Sequence, residues 1–184
     1  MIHIITVHFE DDSWINIQKN FFEDNFSGEY KFYVSLEGIA PSYEHDSYFY
    51  KTYETLGRHH TKLNILADLV FMSEGVKDED ILIFVDGDAF PIKPIDVFIT
   101  ENLKKYPLIA VQRLENNGDC QPHPCFTATT VGFWKKIKGD WNKGYSWKNN
   151  EGQSTTDTGG NLLGILEKEK IKWLPILRSN KVNL

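Results

Sequence analysis

The amino-acid sequence predicts an α/β fold with a mainly parallel central sheet flanked by helices. Three observations carry that reading. The first is Ile81-Leu82-Ile83-Phe84-Val85, a short, unbroken apolar run rich in Ile and Val. It is too short for a helix and suits a strand buried on both faces, as in parallel sheets covered by helices. The second is a strand-like segment over residues 3–9, almost at the start of the chain. The third is the alternation of short β-rich stretches with helical patterns through the rest of the sequence.

The apolar run stops at Asp86-Gly87-Asp88, followed by Ala89-Phe90-Pro91. In open α/β sheets, ligands bind at the carboxyl ends of the strands. Two carboxylates one residue apart, with Gly87 permitting a sharp bend, can turn toward one point. Their repulsion is relieved by a cation or a shared proton. Mg²⁺ or Mn²⁺, usually in company with phosphate oxygens, is the natural partner for such oxygen ligands. The competing reading is a plain turn, for which Asp-Gly is a common pair. Asp-x-Asp alone is a weak motif; the strand before it and the apolar pair and Pro after it make it more specific.

Length and composition suit one domain, residues 1–184, with a proper core. An apolar content of 41%, with 14% aromatic, excludes a disordered chain. A formal net charge of −6 gives no electrostatic case for nucleic-acid binding. No apolar run reaches membrane-spanning length, and the acidic Phe9-Glu10-Asp11-Asp12 stretch is foreign to a signal peptide. A cytoplasmic location is expected, with Cys120 and Cys125 as reduced thiols.

After the first strand, Asp12 or Ser13 is expected to cap a helix with Trp14, Ile17 and Phe21 on one face. Residues 30–36 read as a second strand. Residues 37–56 form a long, Tyr-rich segment without periodicity, as a lid that orders over a ligand would. Its aromatics could stack on a base or sugar, or cover an exposed sheet edge. Residues 58–74 read as a helix with Leu63, Leu66, Ala67 and Val70 inward and Gly75 as its stop. Arg58 and Lys62, four apart, share one side of its first turns and either reach a phosphate near Asp86 or form a solvated basic face. His59 and His60 are adjacent, which argues against a two-histidine metal site there.

Pro94 suits the first turn of a short helix to about residue 103. Residues 108–114 read as a strand, 116–126 as a loop, and 127–134 as another strand. Thr156-Asp157-Thr158-Gly159-Gly160 leads into a helix over 161–170, with Asp157 or Thr158 as its expected N-cap. Residues 171–177 read as a last strand, and Pro175 argues for an edge position.

Taken together, these features resemble a glycosyltransferase of the GT-A fold. The likeness spans nearly the whole chain, with motif-level specificity in Phe84-Val85-Asp86-Gly87-Asp88. It implies a nucleoside-diphosphate sugar as donor and a saccharide or other hydroxyl compound as acceptor. It also implies that Thr6, Val7 and His8 hold the base and ribose, that Asp86 contacts the ribose or a metal-bound water, and that Asp88 ligates Mn²⁺ or Mg²⁺. The loop 116–126 and the Asp157 turn would face the sugar and the acceptor. Many GT-A enzymes add a late histidine ligand; none follows His123 here, so the third protein ligand stays open. The chain is short for that fold, as it would be with an acceptor-binding part missing or on another domain.

In such chemistry negative charge builds on the leaving diphosphate, and a metal with a cation such as Lys62 would stabilise it. An inverting reaction needs a carboxylate to take the acceptor's proton. Asp157 is the first candidate, with a helix N-cap as its alternative role, and Glu151 is the reserve; a retaining reaction needs neither. Two other classes stay in view. One is a non-catalytic nucleotide-sugar-binding module. The other is a haloacid-dehalogenase-type phosphatase, which places its acids near the N-terminus with a second acidic pair downstream.

Overall fold

A computed structural model describes residues 1–178 of the chain. Its main sheet contains β1 (Ile2–Phe9), β2 (Tyr30–Glu37), β3 (Tyr50–Thr52), β4 (Ile81–Asp86), β5 (Leu108–Arg113), β6 (Asp119–Thr130) and β9 (Leu174–Leu177). A separate hairpin pairs β7 (Trp147–Lys148) with β8 (Ser154–Thr155). The helices are α1 (Ile15–Asn25), α2 (His59–Met72), α3 (Asp96–Leu103), α4 (Val131–Ile137) and α5 (Gly160–Lys168).

The sheet order is β3-β2-β1-β4-β6-β5-β9. β1 lies parallel to both β2 and β4, in a register that sets Val7 beside Asp86. β6 is antiparallel to both β4 and β5, while β9 runs parallel to β5. So every strand of this sheet except β6 points the same way, the mainly parallel arrangement expected from the sequence. Alternation along β4 explains its unbroken apolar run. Leu82 and Phe84 join one core with α2, α4 and α5, whereas Ile83 and Val85 join the other with α1 and α3. In the first core Phe84 packs on Trp134 and Trp141, with ring centroids 4.7 and 5.0 Å away.

Several local expectations change. The buried residues of α1 are Ile15, Gln18 and Phe22, one position on from the predicted face. Trp14 and Phe21 instead lie against Phe90, at 6.2 and 4.6 Å. Neither Asp12 nor Ser13 caps the helix: Trp14 holds the cap position without a side-chain bond, and Asp11 accepts the Ser13 N–H at 2.9 Å. The Tyr-rich segment is no structureless loop. A 3₁₀ turn (Tyr43–Ser47) and β3 close the sheet edge, with Tyr48 against Phe32 and with Phe49 and Tyr50 against Tyr33. Tyr48, Phe49 and Tyr50 thus cover the sheet edge, while Tyr43 stays exposed.

β6 extends back through the predicted loop, and the strand expected to run to residue 134 ends at Thr130, whose hydroxyl accepts the Phe133 N–H to open α4. Pro122 and Pro124 signalled a loop. They are tolerated because the β5–β6 pairing is irregular there, with register shifts on both sides of Val111. Pro175 lies in β9, the outermost strand, as expected. Among the described residues no helix is long and apolar enough to cross a membrane.

Candidate active site

The carboxyl edge of the sheet gathers the acids. β4 ends at Asp86, and Gly87 is buried against the end of β1. A Cβ on Gly87 would stand 2.6 Å from the Val7 carbonyl oxygen and 2.7 Å from His8 Nδ1, so only glycine allows this approach. From α1, Gln18 Nε2 donates to the carbonyl oxygens of Asp86 (2.9 Å) and Ala89 (2.8 Å), pinning the turn. Asp88 is exposed. Val7, His8, Phe9, Asp11, Trp14 and residues 86–88 line a cleft of about 240 Å³.

The expected nucleotide residues divide. Val7 and His8 wall this cleft, whereas Thr6 is fully buried between Val34 and Val85. Burial pushes the His8 imidazole down to about 4, with Gln18 opposing the shift, so it is neutral at physiological pH. Arg58 is exposed at the N-cap position of α2. Lys62 is buried: its Nζ lies 2.7 Å from Glu37 Oε2 and 4.6 Å from the centroid of the Phe9 ring. The two cations share no basic face, because the helix begins at His59 and its next turn packs inward.

His59, set aside in the sequence as half of an adjacent histidine pair, brings Nε2 to 3.3 Å from Asp86 Oδ1. That is ion-pair reach without hydrogen-bond geometry, and this oxygen, although buried, has no hydrogen-bond partner. From β6 come His123 and Cys125. One ligand atom each from Asp86, His123 and Cys125 lies within 4.8 Å of the others. His123 Nδ1 accepts the Cys125 N–H at 3.1 Å. Burial pushes His123 down to about 4, with Arg113 adding to the effect and Asp86 opposing it. Burial, with Asp86 nearby, pushes the Cys125 thiol up to about 12, so it carries its proton.

Asp157 stands beside this group and is not the cap of α5. Gly159 holds that position with φ +90°, and a Cβ there would stand 2.4 Å from the Pro122 carbonyl oxygen. That close approach presses the Asp157 turn onto β6 next to His123. The Asp157 carboxylate lies 3.1 Å from Lys143 Nζ and 3.8 Å from Arg113 Nη2, which also reaches Asp119 at 3.0 Å. Burial opposes the Asp157 charge. The Thr158 N–H, Lys143 and Arg113 outweigh it and hold the carboxyl below the usual range. Glu151 is exposed at the tip of the β7–β8 hairpin, where its N–H donates to Asn149 Oδ1.

Arg113, Lys143, His123 and Cys125 are the site residues that sequence reasoning passed over. His123-x-Cys125 carried a signal, a histidine and a cysteine two residues apart in one segment. The reading of 116–126 as a loop concealed it.

No protein-family model matches the chain, and no curated protein sequence does either. Solved structures do. The galactosyltransferase LgtC, in complex with donor and acceptor sugar analogues, matches with a TM-score of 0.53 at 11% identity, over 94% of this chain and 73% of that one. In a structure of an LgtC active-site mutant the matched part is 59% of that chain. The 2-C-methyl-D-erythritol 4-phosphate cytidylyltransferase of Francisella tularensis matches with a TM-score of 0.50 at 10% identity, over 100% and 95% of the two chains. CMP:2-keto-3-deoxy-manno-octonic acid synthetase, complexed with CTP, gives 0.53 at 9% identity, over 97% and 90%. The chain therefore has a fold of the GT-A, nucleotide-diphospho-sugar transferase type. At these identities the likeness extends to the fold alone.

Proposed function

We propose that this chain transfers a sugar from a nucleoside-diphosphate sugar to a hydroxyl acceptor, assisted by Mg²⁺ or Mn²⁺. The observation that carries the reading is Asp86-Gly87-Asp88 at the carboxyl end of a central strand, opening on a cleft walled by β1. A buried carboxylate oxygen without a hydrogen-bond partner on Asp86 fits a cation, as does the exposed Asp88 beside it. Those two residues would hold the ion, which neutralises charge on a leaving diphosphate. Val7, His8 and Trp14 wall the space offered to the nucleoside. His8 is neutral at physiological pH and can exchange hydrogen bonds without adding charge. Arg58 is an exposed cation available to a phosphate; Lys62 would have to leave Glu37 to serve.

Asp157 is the proposed base toward the acceptor hydroxyl. Lys143 and Arg113 keep it ionised, so it can accept a proton across a wide pH range, although their pull makes it a weak base. Arg113 ties the Asp157 turn to Asp119 and so fixes the carboxylate's position.

Nucleotidyl transfer is a second reading, favoured by the matched fold extending over 95% and 90% of the two cytidylyl-type chains. The phosphatase reading fits less well, because the acids follow the fourth strand rather than the first. A single experiment separates these readings and a non-catalytic module. Panels of nucleotide sugars and of nucleoside triphosphates with sugar phosphates are incubated with Mn²⁺ and candidate acceptors. Nucleoside diphosphate release with a glycosylated product supports the proposal. Pyrophosphate release points to nucleotidyl transfer, and ligand binding without turnover points to a binding module.

A further inference from the structure

We propose that Asp86, His123 and Cys125 form a site for a thiophilic divalent cation of the zinc class, separate in chemistry from the hard ion proposed for Asp86 and Asp88. Among the described residues this is the one mixed group of at least three such side chains with ligand atoms this close, within 4.8 Å of one another. The strands produce it directly. His123 and Cys125 lie two apart in the irregular part of β6, where the Cys125 N–H donates to His123 Nδ1 and holds the two residues together. Phe126 pairs with Val85 across the β4–β6 ladder, and one step further brings Cys125 alongside Asp86.

The donor set chooses the ion. Mg²⁺ and Ca²⁺ bind oxygen and avoid thiolate, whereas Zn²⁺, Co²⁺ and Cd²⁺ take nitrogen, sulfur and carboxylate oxygen together. Ligands held 2.0–2.3 Å from a tetrahedral zinc stand roughly 3.3–3.8 Å apart, so these three atoms need draw in by only about an ångström. Asp86 Oδ1 is buried without a hydrogen-bond partner, with only His59 Nε2 at 3.3 Å, and so has a lone pair free for a cation. Binding is a balanced exchange: the Cys125 thiol loses its proton to solvent as the sulfur–metal bond forms, and neutral His123 gives a lone pair. If the ion takes Nε2, the ring proton moves to Nδ1 and the Cys125 N–H loses its present acceptor. Three protein ligands leave a fourth position open. Because Asp86 is shared, a zinc-class ion would exclude the metal-bound donor. That last consequence rests on the glycosyl-transfer reading; the site itself does not.

The test uses reduced protein and Co²⁺ with no nucleotide present. A thiolate-to-cobalt charge-transfer band should saturate at one ion per chain, with release of one proton, and be abolished by equimolar Zn²⁺. Cys125→Ser should lose the band and Cys120→Ser keep it, while His123→Ala should weaken binding by at least about tenfold, the scale on which metal sites respond to altered ligation. Wild-type protein supplies a check free of folding effects: Zn²⁺ should slow alkylation of Cys125, read by peptide mass, and leave Cys120 unchanged. Absence of the band, its survival in Cys125→Ser, or equal alkylation with and without Zn²⁺ overturns the proposal. None of these outcomes depends on whether the chain transfers sugars.

Discussion

Lys143 Nζ stands 3.1 Å from Oδ1 of Asp157, and that contact gives the acid a character the sequence left open. As an N-cap it would have tolerated Asn; as one arm of a Lys143–Asp157–Arg113 bridge it does not stand alone. Asp157→Asn keeps the shape and removes the charge. We expect turnover to fall about a hundredfold or more, the ordinary scale of general-base loss, with donor affinity retained. Steady-state kinetics beside a donor-binding titration would show it, and near-normal turnover would remove Asp157 from the mechanism. Because its carboxyl is held below the usual range, the acidic limb of the rate profile should lie lower than that of an ordinary carboxylate.

Asp88 is exposed at the cleft and holds up nothing in the fold. Asp88→Ala should therefore leave the melting temperature of the unliganded protein almost unchanged. A nucleoside diphosphate should raise it further in Mn²⁺ than in chelator, and the substitution should abolish that difference. Equal shifts in wild-type protein with and without metal would count against the metal.

Lys62 offers a contrast, since its Nζ is paired with Glu37 and its side chain is 4% exposed. Breaking such a pair leaves an unmatched buried charge, at a cost of roughly 3–5 kcal/mol. Lys62→Ala should lose stability on that scale in urea titrations, and Lys62→Ala with Glu37→Gln should recover part of it. Unaltered stability together with a large loss of donor affinity would instead return Lys62 to the donor site.

Two buried histidines add strongly to the acid sensitivity. Folded His8 and His123 are both near 4, against an ordinary 6.5. Below pH 6.5 the unfolded chain takes up protons that the folded chain refuses. Stability is thus fully present above 6.5 and drains away as pH falls toward 4, by up to about 3 kcal/mol for each histidine. Imidazole NMR titrations should give both midpoints near 4; midpoints near 6.5 would mean that these rings are open to water.

At Gly87 a methyl group meets the Val7 carbonyl oxygen at 2.6 Å, main chain that cannot step aside. Gly87→Ala should cost about 1–3 kcal/mol and displace the acids, weakening metal-dependent nucleotide binding. A stability measurement paired with a binding isotherm tests both halves.

The sequence revealed the strands better than their company. Residues 81–85 announced β4 through an apolar run that no exposed strand could carry, and the acids beyond it were legible for the same reason. The α1 face slipped by one residue because Trp14 and Phe21 look like core and instead cover Phe90. β6 was masked by two prolines, whose tolerance depends on a pairing irregularity with β5 that local sequence does not encode. Lys62 looked like a phosphate ligand until Glu37, 25 positions earlier, took its charge. Partners chosen across such separations are a tertiary matter, and the missed site residues Arg113, His123, Cys125 and Lys143 belong to it.

β6 lies between β4 and β5, although β5 comes first along the chain. As synthesis proceeds, β3, β2, β1 and β4 can zip together in their final order, but β5 has no neighbour to join until β6 arrives. β9 in turn waits on β5. Asp86 and Asp88 belong to the half that can assemble early, while His123, Cys125 and Asp157 depend on the half that closes late. The two halves of the site therefore meet only when a long antiparallel strand fills the gap, a non-local pairing of the kind that slows folding. An intermediate lacking that strand would carry the acidic turn on a half-sheet whose open edge leaves β4 free to pair with another chain.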